Sequence, residues 1–267
     1  CFVLTVSIRG HENSGSSDSV IKLDLEKITI RVNTFRRLDL LKYFITHYSQ
    51  CSSVVEEIQV VWSDVKENPP YDWIKDFTAP DSNHKKTTKV TVEEHKENSL
   101  SNRFRVLIPL TTAAVLTIDD DIIISCEDLS LLHQTWLVNQ QVIVGISPRL
   151  HRYHANGDGS IQYLNWQYTW WNGEYSIMLT KASLMHQRYL SAYDREIPPL
   201  LSQFIDKNRN CEDIAIAYIT TKTAKAAPVW ASVTFYDIAS SGISSKVTTH
   251  FTKRGDCLQI IEDYEKA

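Results

Sequence analysis

Short runs of β-branched and aliphatic residues alternate along this chain with stretches whose apolar positions recur at helical spacing. Ile28-Thr29-Ile30-Arg31-Val32-Asn33 reads as a strand. The next segment sets Leu38, Leu41, Phe44, Ile45 and Tyr48 at intervals of three and four, with Asp39 and Lys42 on other faces, which predicts an amphipathic helix. Ile58-Gln59-Val60-Val61-Trp62 and Lys89 to Glu93 repeat the strand pattern, Asn102 to Leu107 predicts a helix, and Ala113 to Ile118 predicts a fourth strand. Further on, Asn210 is a plausible N-cap for an apolar helix holding Ile214, Ala215, Ala217, Tyr218 and Ile219. Strands and helices in alternation predict an α/β fold, with a mostly parallel central sheet covered by helices on both faces.

The first twenty residues stand apart. Cys1 to Ile8 is apolar but less than half the length needed to cross a bilayer. It reads either as an edge strand or unstructured stub, or as the lumenal remnant of a signal anchor. His11 to Ser19 is polar, with Gly15 and four serines, and reads as a linker, so the expected domain covers 21–267.

Composition narrows the class. The 267 residues are 43% hydrophobic and 22% charged, an ordinary globular balance, and the net charge of −4 gives no global electrostatic grip on nucleic acid. There are eight glycines and no G-x-x-x-x-G-K-[ST] loop, which counts against P-loop phosphoryl transfer. The five cysteines contain no C-x-x-C pair, so a cysteine zinc site is not expected, and in an oxidising compartment the odd count leaves at least one thiol over.

Candidate chemistry centres on Asp119-Asp120-Asp121, set between the apolar runs ending at Ile118 and starting at Ile122. In an open α/β sheet, ligands bind beyond the carboxyl ends of the strands, where these acids are expected. A hard divalent cation sharing carboxylate and phosphate oxygens suits them; a solvated acidic turn is the plain alternative. In an extended stretch Asp119 and Asp121 point to one side and Asp120 to the other. Glu212 and Asp213 either stabilise the N-terminus of their helix or bring Asp213 to the same crevice. Arg36, Arg37, Arg103 and the Lys253-Arg254 pair are the basic groups suited to a diphosphate. Between Gly157, Gly159 and Gly173 lie Tyr163, Trp166, Tyr168, Trp170 and Trp171, which read as core filler, as a stacking platform for sugars, or as a lip facing lipid.

Taken in order, Asn33 through Leu41, Val60-Val61-Trp62, Asn98 through Arg103, Asp119 through Asp121, and Asn208 through Ala215 resemble the exostosin-like glycosyltransferases over about Ile28 to Tyr264. Trp170 through Ser176 and Gly242-Ile243-Ser244-Ser245 resemble most the plant-type branch that acts on glycosyl inositol phosphorylceramide. The resemblance implies a single GT-A nucleotide-sugar domain that retains anomeric configuration. Asp121 would hold Mn²⁺, with Mg²⁺ as a possible substitute, while Asp119 and Asp120 would contact ribose or donor sugar. Arg37, Asn98 and Arg103 would hold the nucleotide, with Asn33 and Ser63 adding contacts to base or ribose. Asp213 would lie beneath the anomeric carbon, Arg254 would steady the leaving diphosphate, and Tyr175, Trp170 and Trp171 would form the acceptor side.

The implied donor is GDP-mannose or UDP-GlcNAc/GalNAc, since Ser63-Asp64 departs from the amide side chains of some relatives and leaves guanine and uracil both open. The acceptor would be a glycolipid, or a proteoglycan-type glycan. The implied place is the Golgi or ER lumen, with the full-length protein anchored through its N-terminus; oligomeric state is left open, a dimer included. The resemblance also implies a Cys211–Cys257 bridge, which leaves Cys51 and Cys126 as buried thiols and Cys1 in the stub. A Mg²⁺-dependent nucleotidyl-transfer enzyme and an idle carbohydrate-binding subunit are the competing classes.

Overall fold

In the computed structural model of the protein, residues 24–78, 88–239 and 250–267 are described. The stub and linker expected over 1–20, the boundary at residue 21 and the Gly242 to Ser245 segment lie outside the described residues. In chain order the elements are β1 (Asp24–Thr34), α1 (Leu38–Ser49), β2 (Val55–Trp62), α2 (Tyr71–Thr78), β3 (Lys89–Glu94), β4 (Thr112–Asp119), β5 (Ile122–Ile124), α3 (Cys126–Leu137), β6 (Val144–Gly145) and β7 (Pro148–Tyr153). There follow β8 (Ile161–Leu164), α4 (Trp166–Asn172), β9 (Ile177–Met178), β10 (Ala182–His186), α5 (Arg188–Glu196), α6 (Pro199–Asn208), α7 (Glu212–Ala224), β11 (Val229–Trp230), β12 (Phe235–Asp237) and α8 (His250–Lys266).

The main sheet has the order β11-β6-β10-β4-β1-β2-β3. β4, β1, β2 and β3 run parallel and are covered on both faces, with Arg31, Gln59 and Glu93 buried on one of them, whereas β10 is antiparallel to both β4 and β6. Two apolar cores lie on the two sides of this sheet. One joins Ile28, Ile30 and Val32 of β1 to Leu41 and Phe44 of α1 and Trp136 of α3. The other joins Val115 of β4 and Met185 of β10 to Tyr189, Leu201, Ile214 and Leu258 on α5 to α8. The α/β expectation, mostly parallel and flanked by helices, is therefore met. No described helix is long and apolar enough to cross a membrane.

Three local expectations change. Only a short 3-10 turn, Leu100–Arg103, forms where a helix was expected over 102–107. The cause is a buried ion pair that takes the backbone groups a helix would use. Arg31 donates to the carbonyls of Arg103 at 3.2 Å and Arg105 at 2.9 Å, and Glu93 Oε1 accepts from the N–H groups of Leu107 and Ile108. At α7, Cys211 and not Asn210 is the N-cap residue, in the left-handed region at φ 83°, and Asn210 donates instead to the His250 carbonyl. The helix start is held there by a covalent tether in place of a side-chain cap.

That tether is the Cys211–Cys257 disulfide, as the resemblance implied, but Cys51 and Cys126 are not thiols: they form a second disulfide across 75 residues. The end of α1 and the start of α3 meet beneath the sheet edge with Cα atoms 5.2 Å apart, inside the bridging range. On the chain-entropy account each bridge stabilises by about 4 kcal/mol. Non-reducing peptide mapping should recover both pairs, and the double variant Cys51→Ser/Cys126→Ser should melt well below the parent; an unchanged midpoint would deny the bridge its role.

Candidate active site

Parallel strands deliver their carboxyl ends to one edge of the sheet, and the polar residues gather there. Asn33 of β1 stands in register with Asp119 of β4 and with Val61 of β2, one residue short of Trp62 and two short of Ser63. Asp120 and Asp121 are not in an extended strand: they form the turn from β4 into β5, so the expected alternation of side-chain directions does not hold. β5 is pinned by antiparallel pairing with β12, and the Asp121 carbonyl accepts from Ile238 N–H.

Each acid of the triplet has a basic partner. Arg37, the residue capping the start of α1, reaches Asp120, and its Nη1 donates to Asp121 Oδ2 at 2.8 Å. Thr34 donates to Asp120 Oδ2 at 2.7 Å. Burial nevertheless pushes the Asp120 carboxyl up to about 6, against the pull of Arg37 and Thr34. Asp119 turns the other way and accepts from Arg103 Nη2 at 2.7 Å. Arg103 is itself buried; it donates to Thr180 and lies 3.8 Å from Glu212.

Beside this lies a second pair. Arg254 on α8 donates to Asp213 Oδ2 on α7 at 2.7 Å and to the Tyr163 hydroxyl on β8 at 3.1 Å. Burial opposes its charge, but Asp213 and Tyr163 outweigh that and hold its pKa above the ordinary value. The Cys211–Cys257 bridge ties α7 to α8 two residues before Asp213 and three after Arg254. Glu212, buried next to Asp213, has its carboxyl pushed up to about 7 by burial and by that neighbour, although Arg103 and Arg254 pull the other way.

Among the buried polar atoms without a partner in the described residues are Asn33 Oδ1, Arg103 Nε and Arg254 Nε, with Asn210 Oδ1 and His250 Nδ1 beside the last. Buried polar groups are nearly always satisfied, so these atoms supply donors and an acceptor that a polar ligand could use. As for a cation, no three described His, Cys, Asp or Glu residues converge into a cage. Arg37 engages Asp121 through Oδ2. One carboxylate sharing a hard ion with phosphate oxygens is how nucleotide-bound Mg²⁺ and its like are held, and Asp121 fits that donor set.

The other expected residues are placed as follows. Ser63 accepts from Asn102 Nδ2 at 3.0 Å, next to Asp64, which pairs with Arg36 at 2.6 Å. Asn98 is turned toward Arg209, whose Nη1 donates to its Oδ1, on a polar pocket of about 170 Å³ apart from the acidic turn. Tyr175 accepts from Trp230 N–H and packs its ring edge-on against that indole, 6.2 Å between centroids. Of the aromatic group only Tyr163 is core; Trp166, Tyr168, Trp170 and Trp171 sit exposed on α4, a helix and not a loop. Sequence reasoning gave no role to Thr34 or Thr180, took Glu212 only as a helix-start charge beside Asp213, and placed Tyr163 in the aromatic group without its link to Arg254; these pairings depend on tertiary docking that no local pattern encodes.

The chain matches the glycosyl transferase family 64 domain over residues 28–265. It is 36% identical over 241 residues to glycosylinositol phosphorylceramide mannosyl transferase 1 of Arabidopsis thaliana, covering 86% of this chain and 70% of that protein. It is 34% identical over 229 residues to glucosamine inositolphosphorylceramide transferase 1 of Oryza sativa subsp. japonica, covering 83% of this chain but only 28% of that protein. Identity to exostosin-like 2 of Homo sapiens is 32% over 203 residues, 75% of this chain and 59% of that protein. Among solved structures, S. aureus TarS in complex with UDP-GlcNAc superposes with a TM-score of 0.51 at 15% identity, over 83% of this chain and 61% of that one, a likeness of fold alone.

Proposed function

The chain belongs to glycosyltransferase family 64, and from that premise we propose that it moves a mannose from GDP-mannose to the headgroup of glycosyl inositol phosphorylceramide with retention of configuration. The observation that carries the reading is the buried Asp213–Arg254 pair lying beside an acidic turn, with unpartnered cationic donors facing the same edge.

Breaking the bond from the anomeric carbon to the diphosphate puts negative charge on the leaving group and positive charge on the sugar ring. Arg254, with its Nε free of partners, stabilises the departing diphosphate, and Asp213 stabilises the oxocarbenium-like ring. The new bond forms from the acceptor oxygen on the same face, and the acceptor proton passes to the leaving phosphate; in the two-step route the Asp213 carboxylate itself attacks the anomeric carbon as the diphosphate departs, and the acceptor oxygen then displaces the carboxylate, its proton again passing to the phosphate. Asp119 and Asp120 position ribose and donor sugar, Arg37, Asn98 and Arg103 hold the nucleotide, and Asn33 Oδ1 and Ser63 meet base or ribose. Tyr175 faces the acceptor, and Trp170 and Trp171, exposed on α4, lie on the acceptor side toward the surface that displays it. A Mn²⁺ ion held by Asp121 and the diphosphate oxygens, or Mg²⁺ in its place, would add Lewis-acid charge at the leaving group. Two disulfides suit the oxidising lumen of the Golgi or ER.

A panel of GDP- and UDP-sugars, scored by Mn²⁺-dependent thermal shift and by donor hydrolysis, tests this. Binding of GDP-mannose is expected; preference for UDP-N-acetylhexosamines would move the chain toward the exostosin-like activity, and no response to any nucleotide sugar would overturn the transfer reading. In the same assay Asp121→Ala should lose the metal-dependent shift while keeping the melting point of the free protein.

A further inference from the structure

Helix α4 presents to solvent what a globular protein ordinarily hides. Thr169 is its one buried residue, whereas Trp166, Tyr168, Trp170 and Trp171 are 57%, 42%, 68% and 80% exposed. Single exposed aromatics are common, but a contiguous group marks a contact surface. Fraying is not the cause. Asn165 caps the N-terminus by accepting from Gln167 N–H at 3.0 Å, and Gly173, left-handed at φ 67°, closes the C-terminus by donating to the Thr169 carbonyl.

The rings are distributed in a particular way. At about 100° per residue, Trp166, Trp170, Trp171 and Tyr168 fan over roughly 200° of the helix, with Thr169 at the centre of the opposite side. A single sugar ring stacks on one or two convergent faces. A fan covering half the cylinder, directly away from the protein, is the shape of a helix lying in a plane where one half is immersed. Indole and phenol rings, apolar in body and polar at one edge, favour the headgroup level of a bilayer.

Charge supports the same partner. β7, β8 and α4 carry two arginines, Arg149 and Arg152, and not one carboxylate, in a chain whose net charge is −4. The neighbouring acids are Asp158, bonded to Asn156 and Ser160 in the β7–β8 turn, Glu174 beyond α4, and Glu262 of α8, which accepts from the Tyr153 hydroxyl and pairs with Lys266; Arg149 is turned inward toward Tyr163, so Arg152 is the arginine this face presents. Arg152 is exposed at the end of β7, which packs against α4. β8 leads from Tyr163, which touches Arg254, straight into the Asn165 cap. The aromatic half-cylinder and the Asp213–Arg254 pair are therefore neighbours.

We propose that α4 docks this domain on a lipid–water interface bearing anionic headgroups, with its tryptophans at headgroup depth and Arg152 meeting phosphate, so that the Asp213–Arg254 pair faces acceptors displayed on that surface. Only the last clause rests on the glycolipid reading above.

Sedimentation with acceptor-free phosphatidylcholine vesicles, with and without phosphatidylinositol, tests the docking apart from any transfer. The protein is expected to sediment with the vesicles, more strongly when phosphatidylinositol is present, with a blue shift of tryptophan emission. The double variant Trp170→Ser/Trp171→Ser should partition at least about tenfold more weakly at an unchanged melting point. Arg152→Ala should lose only the gain from phosphatidylinositol. Absence of vesicle binding, or equal binding by the double variant, overturns the proposal. So does an emission shift produced by a soluble mannosyl-inositol headgroup and not by vesicles, which would make α4 a sugar platform. Transfer to detergent-dispersed acceptor is measured separately, so a chain that docks but does not transfer, or the reverse, is recognised as such.

Discussion

Asp213→Asn should lower the transfer rate by at least about a hundredfold while leaving the donor dissociation constant nearly unchanged. The substitution keeps shape and one acceptor: an amide oxygen can still take the Ile214 N–H now bonded to Asp213 Oδ1, or the Arg254 guanidinium, but the negative charge is gone. If Asp213 stabilises positive charge that develops only as the sugar leaves, the loss falls on kcat and not on ground-state binding. Removing the whole side chain would blur this result. Arg254 is buried, and leaving a buried charge without its partner costs about 3 to 5 kcal/mol, so Asp213→Ala would report on stability as much as on chemistry. Donor binding by calorimetry, the melting point and single-turnover transfer should be read together on the Asn variant. A kcat equal to the parent's, with the fold intact, would remove Asp213 from the mechanism and leave the pair as a brace between α7 and α8.

How much of this site shows in the sequence depends on how far apart its partners lie. Asp119 to Asp121 could be placed because an uninterrupted apolar strand ends there, and a parallel strand's carboxyl end is where ligands meet the sheet. Asp213 was legible from its place in the first turn of an apolar helix. Which cation meets which acid was not. Arg103 looked like a group for phosphate, yet it spends its Nη donors on Asp119 and Thr180 and keeps Nε free. That assignment depends on the register of β4 against β10, which no local pattern encodes. Cys51 and Cys126 illustrate the same limit: 75 residues separate them, and only the docking of α1 and α3 beneath the sheet brings them together. The segment after Arg103 failed as a helix because its backbone groups are claimed by Arg31 and Glu93, which the sequence shows only as polar members of two strands far away in the chain. Helix α4 inverts the usual rule, since its aromatic spacing gives no sign of which side meets the protein.

Those two strand residues carry the second large effect. Arg31 and Glu93 are both fully buried, 2.7 Å apart, and Arg31 Nη1 also donates to Gln59 Oε1. Burial alone would raise the Glu93 carboxyl, but His95, Arg31 and the Ile108 N–H hold it down to about 2 from an ordinary 4.5. A carboxyl held low in the folded state contributes stability that is complete above its unfolded value and drains away as pH falls. The drain should run from about pH 4.5 to about pH 2 and amount to about 3 kcal/mol. Denaturant titrations should show that loss in the parent and a flattened profile in Glu93→Gln, which should start about 3 kcal/mol lower at neutral pH for want of a full partner to Arg31. An equally steep acid loss in the variant would assign the acid sensitivity to other carboxyls. Replacing the pair together, Arg31→Met with Glu93→Met, separates folding from positioning. Apolar residues of similar volume often restore stability where a buried ion pair stood. They offer nothing to the carbonyls of Arg103 and Arg105 or to the N–H groups of Leu107 and Ile108. The double variant should therefore regain most of the melting point yet bind donor more weakly, because Arg103 is no longer held against Asp119. Recovery of donor affinity along with stability would show that the loop finds its place without the pair.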